Sequence, residues 1–169
     1  MRELIKKLLI EETENTVLVV FGGIRSATAA WMLEQIPENI KSSRTIIVKE
    51  WNTNTQEVID ELNEINHSRL EVIGFSAGGS NVFKLTKAKN PDFVGLIDPA
   101  VPRDWSLEGF PTDSILFFNN SNWPGDILKG IRERQLLLAE VMVEKGMTIV
   151  ETDDTHMAFP KIFFETYMK

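Results

Sequence analysis

Residues 70–80 read LEVIGFSAGGS. An apolar run rich in branched residues stops at Gly74-Phe75-Ser76-Ala77-Gly78, and a pattern with helical spacing follows it to Asn90-Pro91. This is the signature of a strand, a sharp turn with a serine at its apex, and a helix. Small residues two places before and two places after the serine let strand and helix pass closely. The hydroxyl is then held out of the fold at a helix start, where a nucleophile belongs. A bare G-x-S-x-G carries little weight, and a structural glycine turn is its bland alternative. The strand before and the helix after are the context the motif requires.

Working outward, apolar runs at 17–21 (VLVVF), 44–49 (RTIIVK), 93–97 (FVGLI), 114–118 (SILFF) and 147–150 (MTIV) predict five further strands. Helical spacing predicts helices over 26–35, ending near Pro37, and over 77–89, 126–145 and 158–167. Another helix starts at a capping box, Thr53 to Gln56, and carries Val58, Ile59, Leu62 and Ile65 on one face. Leu4, Ile5, Leu8 and Leu9 suggest a short amphipathic N-terminal helix. Strands that alternate with helices and read as continuous apolar runs predict an α/β fold: a mostly parallel sheet of about six strands, covered on both faces. Residues 1–169 read as a single domain. The connection from Asp98 to Asp113 holds Pro99, Pro102 and Pro111, which leaves no room for a long helix or a lid.

The composition narrows the chemistry. The chain has 169 residues with 18 Lys plus Arg and 25 Asp plus Glu, a formal charge of −7. Nucleic acid is therefore not an expected partner, because phosphate binding rests on clustered basic residues. There is no cysteine, so disulfides, thiolate metal sites and a cysteine nucleophile are excluded, as suits a cytoplasmic protein. No stretch predicts stable membrane insertion or a signal-peptide core. Neither phosphate-loop nor dinucleotide spacing is present, and two distant histidines make no metal set. No cofactor and no metal are expected.

A serine needs a base, and the base needs an orienting carboxylate. Of the two histidines, His156 follows the last strand, at the carboxyl end of the sheet, where sites of such folds lie. His67 precedes the third strand, at the opposite rim, and reads as a charge partner for a helix C-terminus. Asp98, at the end of the fourth strand, leads as the acid. Asp126 and Asn122 are alternatives after the fifth strand. Backbone donors for an oxyanion are the Ala77 N–H and the loop after the first strand, Gly22-Gly23-Ile24.

With these residues the chain resembles the α/β-hydrolase superfamily over nearly its whole length. The elbow at Ser76 matches that family's nucleophile elbow, and Ser76, Asp98, His156 follow its Ser…Asp…His order. Phe21-Gly22-Gly23 is similar to its oxyanion loop, with Phe21 where a histidine often stands. The family usually carries its acid after the next strand, where this sequence has asparagines. The pancreatic-type lipases carry it one strand earlier, in a segment similar to GLIDPAVP (95–102). The resemblance implies a small lidless serine esterase of lipase-like type, acting on a small-molecule ester or acyl substrate. Phe75, Trp105 and Phe110 are expected to bind it, with Trp31, Trp51 and Trp123 as further aromatic candidates. A thioesterase or other acyl hydrolase, and a hydrolase-fold protein that binds a ligand without reacting, are the alternatives.

Overall fold

The computed structural model describes residues 15–119 and 126–169, with 126–129 by backbone alone. The N-terminal segment, Asn120, Asn122, Trp123 and the side chain of Asp126 lie outside the described residues. The chain runs β1 (Thr16–Phe21), α1 (Ala29–Gln35), α2 (Glu38–Ser43), β2 (Thr45–Lys49), α3 (Thr55–Glu64), β3 (Arg69–Phe75), α4 (Gly79–Lys89), β4 (Phe93–Ile97), β5 (Ile115–Asn119), α5 (Asp126–Glu144), β6 (Thr148–Thr152) and α6 (Phe159–Tyr167). One-turn 3₁₀ segments, Ser76–Gly78 and His156–Ala158, precede α4 and α6.

The six strands form one sheet in the order β2-β1-β3-β4-β5-β6, and every neighbouring pair is parallel. This is the expected α/β architecture. Alternation along each strand sends side chains to two cores. Val17, Val19 and Phe21 face Val58 and Leu62 of α3, Val82 and Leu85 of α4, and Leu138 and Met142 of α5. Leu18 and Val20 face Met32 of α1, Ile40 of α2, and Phe159, Phe163 and Phe164 of α6. Burial on both faces explains why the strands read as unbroken apolar runs.

Two local expectations are corrected. Pro37 does not simply end the helical stretch: it is the N-cap of α2, a short helix that the sequence reading left out. Proline suits a helix start, where its missing N–H is not needed. The cap of α3 is Asn54, not Thr53. Asn54 Oδ1 accepts from the Gln56 N–H at 2.9 Å, and the Gln56 amide turns forward to Asp60. No described helix is long and apolar enough to cross a membrane.

Candidate active site

The turn after β3 is as tight as its glycines imply. A Cβ on Gly74 would stand 2.7 Å from the Gly78 carbonyl oxygen, and one on Gly78 would stand 2.6 Å from that of Phe21. Both distances are far inside van der Waals contact with backbone that cannot move aside. Ser76 itself takes φ +53°, a left-handed conformation costly for a side-chain-bearing residue. Its carbonyl accepts from the Ala100 N–H at 2.7 Å, which ties the elbow to the chain leaving β4.

That exit carries Asp98, also left-handed at φ +42°. Its N–H donates to the Phe117 carbonyl of β5 at 2.6 Å, and its side chain is fully buried. His156, in the 3₁₀ turn after β6, places Nδ1 2.5 Å from Asp98 Oδ2. A carboxylate can only accept, so Nδ1 carries the hydrogen of this contact and the other ring nitrogen, Nε2, is the one not used by Asp98. The imidazole is about one-third exposed and lies on the Phe75 ring, centroids 4.5 Å apart. Phe75, buried between His156 and Trp31, is thus a shelf for the histidine rather than a wall of the cavity. His67 lies at the other rim, with Nδ1 2.8 Å from the Ile65 carbonyl.

Ser76, Asp98 and His156 line one cavity of about 320 Å³. Its other walls include Ile24, Ala27, Ile131 and Met157, which make it largely apolar, and Arg25 stands at its edge. Ala77 also lines it. Among the oxyanion candidates, the Gly23 N–H is engaged by the Ala27 carbonyl at 2.7 Å. The Ile24 N–H has no acceptor among the described residues. Gly23 serves by closeness instead, since a Cβ there would meet Ser76 Cβ at 3.1 Å.

Trp105 and Phe110 are placed elsewhere. Both pack on the core beside α4, Phe110 at 5.4 Å from the Phe83 ring, and neither lines the Ser76 cavity.

The sequence reading missed Gln135. It is fully buried on α5, and its amide hydrogens go to Asp98 Oδ1 at 3.1 Å and the Pro99 carbonyl at 2.8 Å. The signal was present: Gln135 interrupts the apolar stripe Ile131, Leu138, Met142, and a polar residue on a buried stripe needs partners. Asn119 was one of the asparagines after the fifth strand. Its Nδ2 donates to the Asp154 carbonyl at 2.8 Å, two residues before His156, and so anchors the histidine loop. No group of three or more His, Asp or Glu among the described residues could hold a metal ion.

No protein-family model matches the chain, and no curated protein matches it. Among solved structures it is similar to a protein assigned as a YdeN-like hydrolase from Pectobacterium atrosepticum. The two are 14% identical, with 98% of this chain and 91% of that one covered and a TM-score of 0.52. It also aligns with poly(aspartic acid) hydrolase-1 from Sphingomonas sp. KT-1, at 11% identity, 94% and 89% coverage and a TM-score of 0.43. At such identities the first likeness shows a shared fold.

Proposed function

We propose that the protein is a serine hydrolase that cleaves carboxylic esters through an acyl-enzyme. The observation that carries this reading is the 2.5 Å contact of His156 Nδ1 with a buried Asp98, in the cavity that also holds the strained Ser76. The shared α/β fold agrees with hydrolysis but does not select the bond.

In this reading Ser76 Oγ attacks the ester carbonyl carbon while His156 Nε2 takes its proton. Asp98 stabilises the imidazolium. The carbonyl oxygen becomes an oxyanion, for which the N–H groups of Ala77 and Ile24 are the candidate donors. When the tetrahedral intermediate collapses, the bond to the leaving oxygen breaks and Nε2 returns the proton to it. Water then repeats the sequence on the acyl-enzyme and frees the acid and Ser76.

The test is labelling with a fluorophosphonate, read by intact mass. One adduct is expected on the native chain and none on Ser76→Ala. A folded native chain that takes no adduct would overturn the reading in favour of a ligand-binding protein.

A further inference from the structure

A second and larger cavity, of about 730 Å³, opens on the other side of the elbow. It shares Ala77 and Ala100 with the cavity at Ser76, so the two meet at the residue that follows the nucleophile. One wall is α4 itself. Ala77, Ser80, Asn81 and Lys84 recur at i, i+3, i+4 and i+7, and form one helix face leading away from the serine. The facing wall runs from Trp51 to Thr55 and presents side-chain amides and hydroxyls. Asn81 is buried and donates to the Trp51 carbonyl, which fixes the two walls to each other.

The two cavities differ in chemistry. The one at His156 is largely apolar; the groove is lined by polar and apolar surface in about equal parts and holds a single charged side chain, Lys84, and no carboxylate. Lys41, Lys49, Lys87 and Lys161 each face a glutamate. Lys84 is exposed and, like Lys89, Lys145 and Lys169, has no ion-pair partner among the described residues, but it alone of these lines the groove.

We infer that this groove is the acyl subsite, and that it takes a polar acyl chain ending in an anion. The inference rests on the hydrolase reading above in one respect, the direction of the substrate. His156 must face the leaving oxygen, and it lines the apolar cavity, not the groove. The acyl part therefore extends past Ala77 into the groove. Lys84 lies eight residues beyond Ser76, on the order of 12 Å along the helix. A chain of about three peptide-sized units spans that distance, and its amides match the Asn, Thr and Ser side chains on the way. Lys84 meets the terminal anion as a point charge.

The probes are N-succinyl-glycylglycine phenyl ester and its neutral counterpart, with the succinyl carboxylate replaced by a primary amide. Wild type is expected to prefer the anionic ester by about fivefold in kcat/KM, as an exposed ion pair would give, and less so at high salt. The ratio should fall to about one in Lys84→Gln, invert in Lys84→Glu, and persist in Lys145→Gln, which removes the same charge far from the groove. Equal turnover of the two esters by wild type would overturn the inference. So would a preference abolished by Arg25→Gln but not by Lys84→Gln. A second arm needs no catalysis: N-succinyl-glycylglycinamide is titrated into wild type and Ser76→Ala, and the Trp51 indole is followed by NMR. Saturable shifts, absent in Lys84→Gln, support the groove even where Ser76 takes no fluorophosphonate and the hydrolase reading fails. No shift at millimolar probe overturns the groove even where Ser76 is reactive.

Discussion

Two buried carboxylates sit in neighbouring strands at opposite rims of the sheet, and they are neutralised in different ways. Glu71, in β3, is held by guanidinium groups, Arg44 Nε at 2.6 Å and Arg69 Nε at 3.1 Å. Asp98, at the end of β4, is held by an imidazole and an amide. Arginine stays protonated throughout the accessible pH range, so the Glu71 cluster is a fixed staple. An imidazole has a second ring nitrogen through which a proton can be taken up and passed on, so the partner of Asp98 is one that can take part in chemistry. Burying an acid is costly at either rim. What separates structure from chemistry is whether its partner can give the proton up.

The sharpest way to break this contrast is Asp98→Asn. It keeps the shape and removes the charge that sets the His156 tautomer. Ester turnover is expected to fall by about 10⁴-fold with the fold intact, and steady-state kinetics beside circular dichroism would check it. A fall of less than tenfold would mean that His156 is oriented by something else. At the other rim, Glu71→Ala should leave turnover alone and cost about 3 kcal/mol of stability, because it takes the carboxylate from a nearly buried Arg44 and leaves it only Ser43 Oγ and the Lys169 oxygen. The double change Arg44→Met/Glu71→Leu should recover most of that loss in urea unfolding. Gln135→Met comes next. It removes one donor to the Asp98 carboxylate, a bond of the charge-assisted kind, and should lower kcat by about tenfold with KM little changed. If KM rises instead, Gln135 shapes the cavity rather than the acid. The smallest effect belongs to Asn119→Ala, which frees the histidine loop from one neutral hydrogen bond. A reduction in kcat of about threefold is expected, and hydrogen exchange at residues 153–157 should quicken.

The sheet was legible because its inner strands are buried on both faces and so appear as apolar blocks. The helices were legible where proline or glycine closes them, as at Asn90-Pro91 and Gly146. Pro37 misled because proline ends one helix and begins another with equal ease, and α2 has too few residues to show a period. The elbow could be read from five adjacent residues. The partnership of Asp98 with His156 joins residues 58 apart, and chain order alone left three candidates for the acid. Geometry puts the Asp98 carboxylate beside the imidazole; Asn122 and the Asp126 side chain lie outside the described residues. Trp105 and Phe110 fall in the β4–β5 crossover, which by sequence alone sets them above the site. That crossover folds down over Phe83 instead, since α4 needs an apolar cover there. Gln135 escaped notice because its importance lies in its burial, and burial is a property of the packed chain.

The left-handed backbone at Ser76 also bears on how such a protein would change over generations. The conformation is one that glycine adopts without strain, so Ser76→Gly should raise stability by about 1 kcal/mol while removing the nucleophile. A lower melting temperature in that variant would refute the idea. The substitution that disarms the site is thus one that folding rewards. A duplicated copy released from selection for activity would meet no folding penalty as it lost its serine, whereas a copy that still carries serine at φ +53° is holding a residue that only its chemistry can justify.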